Sequence, residues 1–223
     1  MRLRSSSITA LVSGGADSAV MVRRLLETGA HIHPLYVRGG MRWEAAELFW
    51  LRRFLKAIRS PRLRPLQVIE VPLAATYGRH WSFGGDRVPG ARTPDAAVYL
   101  PGRNVLLLGH AAVVAARHGS RLLAVGTLRG NPFGDASQGF FRRFGACLAE
   151  ALDHPVRILA PLRRLTKPQA LRAAHEVPLA LTFSCLRPIG WQHCGACNKC
   201  AERRRAFRAA GVFDPTQYHS ARF

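Results

Sequence analysis

The apolar positions of this chain alternate between two rhythms. Short β-branched or apolar runs fit strands at 8–12, 31–37, 66–71, 121–126 and 155–159. Between them, apolar residues recur every three or four positions and predict helices at 17–28, 43–58, 103–118, 137–152, 167–176 and 198–210. In the second helix Trp43, Ala46, Trp50, Phe54 and Ile58 make an amphipathic stripe. Residues 105–116 are apolar nearly all round, which predicts a buried helix. Strands separated by helices imply an α/β fold: a parallel, Rossmann-like sheet with helices on both faces. Ligands of such sheets bind beyond the carboxyl ends of the strands. That rule nominates 13–18, 38–43, 72–103, 127–138 and 160–167 as one edge. The third of these is long and rich in Gly, Pro, aromatic and charged residues; it reads either as a mobile flap over the site or as a disordered surface insertion.

Length and composition narrow the class. At 223 residues and 48% hydrophobic, the chain fits one ordinary domain with a small appendage. No window approaches the ~18 consecutive apolar residues of a membrane span. The N-terminus Met1-Arg2-Leu3-Arg4-Ser5-Ser6-Ser7 lacks the apolar stretch of a secretory signal, so a cytoplasmic location and no membrane partner are expected. The formal charge is +20, and almost all of the positive side is Arg; the only lysines are Lys56, Lys167 and Lys199. This charge fits attraction to nucleic acid or to polyanionic small molecules, and it equally fits an Arg-rich compositional habit, since the arginines spread from Arg2 to Arg222. Charge alone therefore identifies no RNA substrate.

Five cysteines add a chemical signal. Cys147 stands alone inside a predicted helix and reads as a small buried apolar residue. Cys185, Cys194, Cys197 and Cys200 have the spacing C-x8-C-x2-C-x2-C. Four thiolates on two short loops can close a tetrahedral Zn2+ site of structural type, pinning the last helix near the active edge. An iron–sulfur cluster is the alternative, because C-x2-C-x2-C also occurs in ferredoxin-type sites. His193 is adjacent and could replace one ligand, but four cysteines already suffice.

The segment Ser13-Gly14-Gly15-Ala16-Asp17-Ser18 joins the first strand to the first helix. Two glycines let the backbone approach a phosphate, and a helix N-terminus offers free N–H groups and partial positive charge. Asp17 stands where a Walker loop would need lysine, and the third glycine of a dinucleotide fingerprint is missing. The plain alternative for Asp17 and Ser18 is helix capping.

Ser-Gly-Gly-x-Asp-Ser after a first strand resembles the PP-loop of the adenine nucleotide alpha hydrolases (HUP-type fold). Three further pieces follow in order: Pro101-Gly102-Arg103-Asn104, the run Gly126-Thr127-Leu128-Arg129-Gly130-Asn131-Pro132-Phe133-Gly134-Asp135, and Ala160-Pro161-Leu162-Arg163-Arg164-Leu165-Thr166-Lys167. With the cysteines, the set resembles the 7-cyano-7-deazaguanine synthase family of the queuosine pathway, from about residue 8 to about residue 205. The resemblance implies an ATP-dependent carbon–nitrogen ligase that adenylates the carboxylate of 7-carboxy-7-deazaguanine and uses ammonia to form an amide and then a nitrile. It implies ATP at Val12, Ser13, Gly14, Gly15, Ala16, Asp17, Ser18, Arg38, Arg103, Asn104 and Gly126, with Mg2+ near Asp17. Asp17, Ser18, Lys167 and Arg103 become the catalytic candidates. Asp135 is the candidate reader of a guanine-like edge, because a carboxylate accepts two adjacent N–H donors, and Phe133 or Phe183 the stacking residue. Asp135 could instead cap the helix starting near Ser137. The cysteines match the family's zinc site. Residues 1–180 would form the ATP-binding domain and 181–223 a zinc-binding module; a homodimer is an expectation of the resemblance alone.

The chain departs from the family where Ala136-Ser137-Gln138-Gly139-Phe140 replaces a Cys, an Arg and an acidic residue before the Phe. That fits a divergent paralogue joining an activated deazaguanine to a protein or nucleic acid acceptor. A PP-loop tRNA-modifying adenylase and a non-catalytic zinc protein that binds nucleic acid are the remaining readings.

Overall fold

The structure is a computed structural model that describes residues 3–84 and 86–220. Met1, Arg2, Gly85 and residues 221–223 lie outside the described residues, and with them the outer ends of the two expected domains and part of the N-terminal stretch. Five strands, β1 (Ser7–Leu11), β2 (His31–Arg38), β3 (Gln67–Glu70), β4 (Leu122–Ala124) and β5 (Arg157–Leu159), form one sheet in the order β3-β2-β1-β4-β5. Every pairing is parallel. The helices are α1 (Ala16–Glu27), α2 (Glu44–Ala57), the single turn α3 (Ala74–Tyr77), α4 (Arg103–Arg117), α5 (Gln138–Ala151), α6 (Lys167–Arg172) and α7 (Asn198–Ala210).

The strands sort their side chains with period two, as a sheet covered on both faces requires. Ile8, Ala10, Ile32, Tyr36 and Ala124 face one side, where α1 and α2 cover them with Met21, Leu25, Leu51 and Phe54. Leu35, Leu123 and Ile158 face the other side, under Leu108 and Ala111 of α4 and Phe141 of α5. The chain runs outward from β1 to β3, then crosses back to β4. The crevice at the carboxyl ends of β1 and β4 is therefore the switch point where such sheets bind ligands.

Three expectations change. The helix over 105–116 is not wholly buried: α4 buries Leu108, Ala111, Ala112, Val114 and Ala115, while Val105 and Val113 are 38% and 48% exposed. One face of α4 packs on the sheet; the opposite face points outward, and its valines are surface residues. Cys147 is exposed, because it falls off the Phe141–Gly145–Leu148 stripe by which α5 packs. The last change is at α6, which stops at Arg172 because Glu176 adopts φ 61° and Pro178 follows.

The 72–103 segment is strapped down by backbone bonds. Arg42 N donates to Ser82 O at 2.9 Å, Ala91 N to Ala196 O at 3.1 Å, and Asn198 N to Pro89 O at 2.9 Å. Asn198 Nδ2 reaches Thr93 O at 2.8 Å. Trp81 packs on Trp43, and Tyr77 stacks on Phe83. These contacts join the segment to the N-terminus of α2 and to the cysteine region.

The two classes of apolar residue should respond differently to truncation. Phe54→Ala, in the core between α2 and the sheet, is expected to lose about 3–5 kcal/mol in urea unfolding. Val113→Ala should change stability by no more than about 0.5 kcal/mol; a large loss would mean that the outer face of α4 is covered.

Candidate active site

Residues 12–18 turn sharply from β1 into α1. Gly14 has φ 76°, and a Cβ there would lie 3.2 Å from Glu47 O and from Leu51 Cβ, so backbone conformation and space both demand glycine. Phe183 N donates to Gly14 O at 2.8 Å, tying the loop to the segment that precedes the cysteines. Gly126, just after β4, lets that strand's exit approach α1: a Cβ would meet Ser18 N at 3.3 Å. Neither Asp17 nor Ser18 caps α1. Ser18 Oγ accepts from Ser13 N at 3.2 Å, and Asp17 Oδ2 lies 3.3 Å from Lys167 Nζ. The first-turn N–H groups of α1 thus face the cavity with no carboxylate or hydroxyl cap of their own, the arrangement that favours an anion.

An ion network closes one side of this loop. Lys167 Nζ bonds Glu202 Oε1 at 2.6 Å, and Lys199 Nζ bonds Glu202 Oε2 at 2.6 Å. Burial alone would raise the Glu202 carboxyl, but Lys167 and Lys199 outweigh it and hold it at about 2. Burial works against the Lys167 ammonium, yet Asp17 and Glu202 keep it above the usual lysine range. On the other side, Tyr36 OH donates to Glu47 Oε2 at 2.8 Å. Burial pushes Glu47 up to about 8, although Arg103 and Tyr36 pull it back. The buried atoms with no partner among the described residues include Asp17 Oδ1 and Arg103 Nε. One is an acceptor that suits a cation, the other a donor that suits an anion.

The far wall comes from α4 and the loop after β4. Asp135 Oδ2 accepts from Asn104 N at 3.0 Å, and Asn104 Nδ2 donates to Asp135 O at 3.1 Å. Asp135 therefore holds the start of α4, whereas α5 is capped by Ser137, which accepts from Phe140 N at 3.1 Å. Phe133 stacks on Tyr99 with centroids 4.5 Å apart, and buried Phe183 packs against His193.

One cavity of about 390 Å³ collects these groups. Val12, Ser13, Gly15, Ala16, Asp17 and Ser18 line its floor; Arg103, Asn104, Gly126, Phe133, Asp135, Lys167 and Phe183 line its walls. Gly14 lies behind the loop. Arg38 is not brought there. It pairs with Glu70 at 2.9 Å beside a separate surface cleft. The Gly39 and Gly40 N–H groups next to it are already taken by the 4%-exposed Glu44 carboxylate, at 2.7 and 2.9 Å, so that turn has its own internal anion. Ala136 is also off the cavity, buried in the core beneath α4 and α5, so the family Cys replaced there would change core packing, not the pocket wall.

Sequence reasoning missed Tyr36, Glu47, Tyr99, Lys199 and Arg203 as cavity residues, and Glu202 as the carboxylate that bridges Lys167 and Lys199 behind them. For Glu47 a signal existed: Glu44 and Glu47 sit in register with Leu51 and Phe54 on the buried stripe of α2, where a carboxylate is out of place unless it has a task. Glu202 and Arg203 carry no such mark, because they stand beside other charged residues in the run Glu202-Arg203-Arg204-Arg205.

The four cysteine sulfurs lie within 4.8 Å of one another, all buried. Cys194 and Cys200 Sγ are 3.9 Å apart, Cys185 and Cys197 Sγ 4.0 Å. Four thiolates around one tetrahedral ion at a ~2.3 Å bond length would be about 3.8 Å apart, so the set fits a single metal ion. Leu186, Cys194 and Ala196 N–H groups donate to Cys197, Cys185 and Cys194 sulfurs at 3.3–3.4 Å, which suits anionic thiolates. His193 is not in the set: its Nε2 faces Ser184 N at 3.1 Å.

Comparison with known proteins gives a consistent relationship. The family profile "Queuosine biosynthesis protein QueC" matches residues 7–211. A 7-cyano-7-deazaguanine synthase of Anaeromyxobacter dehalogenans is 34% identical over 225 residues, covering 93% of this chain and 94% of the relative. One from Methanothermobacter thermautotrophicus is 29% identical over 221 residues, covering 93% and 97%. Among solved structures, a predicted subunit of tRNA methyltransferase from Methanocaldococcus jannaschii aligns with TM-score 0.51 at 16% identity, over 77% of this chain and 75% of that one. The U34-tRNA thiolase NcsA from Methanococcus maripaludis aligns with TM-score 0.51 at 15% identity, over 85% and 63%. At such identity these two show a shared fold and no more. No helix among the described residues is long and apolar enough to cross a membrane.

Two outcomes are expected from this geometry. Metal analysis should find about one ion per chain, and Cys200→Ser should lose it together with a large drop in melting temperature. For Glu47, the folded carboxyl stays protonated up to about 8, whereas an unfolded one ionises near ~4.3. Across that window the native state holds the extra proton, so the contribution of Glu47 to stability falls as pH rises. Glu47→Gln, permanently neutral, should therefore gain stability relative to the parent between about pH 5 and about pH 8 in urea unfolding; parallel curves would contradict this.

Proposed function

The chain belongs to the queuosine biosynthesis protein QueC family, and from that premise we propose that it is an ATP-dependent carbon–nitrogen ligase acting on 7-carboxy-7-deazaguanine. The observation that carries the reading is the single cavity in which an uncapped helix start, an Asp17–Lys167 pair and the Asp135 wall face one another. A free carboxylate is a poor electrophile. Its oxygen attacks the α-phosphorus of ATP, pyrophosphate leaves, and the acyl carbon gains AMP as a leaving group. Ammonia then attacks that carbon and expels AMP to give the amide. A second ATP is attacked at its α-phosphorus by the amide oxygen and again loses pyrophosphate. Departure of AMP with that oxygen, and of the two amide protons, leaves the nitrile.

The residues divide this work by position. The loop 13–18 and the first turn of α1 bind phosphate through backbone N–H groups. Lys167 and Arg103 offset the charge that grows on the phosphates. Asp17 Oδ1, buried and without a partner among the described residues, is the group that would hold Mg2+, which supplies further neutralisation when bound. Asp135 faces the base, using the oxygen not engaged by Asn104, and Phe133, already stacked on Tyr99, offers a ring to it. The four cysteines are best suited to Zn2+ in a structural role, since the thiolate set is complete and leaves no open position. Residues from 181 onward act as a module that carries this ion. The divergent reading draws no support from 136–139: Ala136 is in the core and Ser137 caps α5.

The test is direct. Purified protein with 7-carboxy-7-deazaguanine, ammonium, Mg2+ and ATP should yield the nitrile with about two AMP per product, as the two adenylations require; no nitrile from folded, metal-loaded protein would defeat the proposal. Lys167→Ala should lower kcat by at least about a hundredfold. Asp135→Asn keeps an acceptor for Asn104 N and should fold normally while raising KM for the deazaguanine by about tenfold or more, with KM for ATP little changed.

A further inference from the structure

Arg203 projects from α7 into the wall of the same cavity and is 2% exposed. Three of its donor contacts are internal. Nε donates to Thr216 Oγ1 at 2.6 Å, and Nη2 donates to Leu179 O at 3.1 Å and to Thr182 Oγ1 at 3.0 Å. The Phe207 ring lies 5.0 Å beneath the guanidinium. These contacts fix its plane. Nη1 is buried and has no partner among the described residues. The nearest carboxylate, Asp214, is 3.7 Å from Nε, and it also accepts from Tyr218 OH and Thr216 N, so its compensation is shared. A guanidinium keeps its charge at any ordinary pH. A buried, oriented cation in a cavity wall with one unpartnered nitrogen calls for an anionic ligand.

Position selects which anion. Ala206, Phe207 and Ala210 of α7 pack against Ala16 at the start of α1 and Leu171 of α6, which puts Arg203 at the loop end of the cavity. Asp17 is close enough to Arg203 to act on it electrostatically. Lys167 and Lys199 are bridged by Glu202 one residue earlier on α7, whereas Arg203 Nη1 has no partner among the described residues. The strand tips with Leu11, Tyr36, Val37 and Val125 offer the apolar surface for an adenine, and the Asp135 wall faces the acyl acceptor.

We propose that Arg203 anchors the β- and γ-phosphates of the nucleotide through Nη1, so that the cysteine-bearing helix supplies part of the ATP site itself. The inference rests on the ATP-ligase reading of the cavity. Thr182, Thr216 and the Leu179 carbonyl are its positioning groups. The anchor binds the two phosphates that leave, so free inorganic pyrophosphate is a ligand of the same subsite.

Calorimetric titration of the metal-loaded protein with ATP, AMP and inorganic pyrophosphate tests this. Arg203→Lys should weaken ATP and pyrophosphate by about tenfold or more and leave AMP within about twofold. Metal content and melting temperature serve as fold controls. Asp214→Asn removes the shared counter-charge with little change of shape. It should tighten ATP and pyrophosphate by about two- to fivefold without affecting AMP, a gain that a purely structural arginine would not produce. If Arg203→Lys fails to hold its metal, the Asp214→Asn comparison decides alone. Unchanged ATP-to-AMP preference in the folded variants, or equal loss of both ligands, overturns the assignment of Arg203. Absence of ATP and AMP binding in the parent protein would instead overturn the reading of the cavity.

Discussion

Lys167 Nζ sits 3.3 Å from the Asp17 carboxylate and 2.6 Å from that of Glu202, and this one ammonium joins three parts of the chain. Asp17 belongs to the first turn after β1, Lys167 opens α6, and Glu202 rides on α7, the helix that carries the last cysteine. Both side chains that flank it are partly withdrawn from water, so neither would be stable there as a lone charge. The pairing places the sheet edge, the 160–167 loop and the cysteine region in one fixed relation. The cavity exists because these three segments are held together around charges that none could keep alone.

The cysteine region is accordingly more than an appendage. Its leading segment donates Phe183 N to Gly14 O, its loop pairs with the 72–103 strap, and α7 brings Lys199 and Arg203 to the cavity wall. A metal ion bound by four thiolates fixes where α7 begins, and hence where each of those side chains points. Such a metal would need no part in bond-making to matter for the site; it would hold in place the α7 residues that line the cavity.

Electrostatic compensation also separates the two Gly-containing turns at this edge. After β1, the helix start is left with unsatisfied N–H groups, and the nearby carboxylate of Asp17 is tied to a lysine. After β2, Glu44 fills the equivalent N–H groups of Gly39 and Gly40. One turn is open to a ligand anion and the other has already been given one. Arg38 lies beside the second and is a surface ion-pair residue.

Alternating apolar rhythm, the Ser13–Ser18 loop and the four-cysteine spacing were legible in the chain itself. Hydrophobic periodicity and turn chemistry are local, and each needs only neighbours within a few residues. The same locality explains the errors. Periodicity along 105–116 cannot say that only one face of α4 meets the sheet, nor can it see that Cys147 falls off the packing stripe of α5. The long loop reads as a flap because its partners, Pro89 with Asn198 and Ala91 with Ala196, are about a hundred residues apart in sequence. What the sequence by itself determined is the sheet type, the phosphate loop and the metal-ligand set. Only the tertiary structure decided that Glu47 and Arg203 share the cavity with Asp17, that Glu202 pairs with Lys167 beside it, and that Arg38 stands apart. Burial and charge pairing are properties of groups brought together from distant parts of the chain, and no local pattern records them.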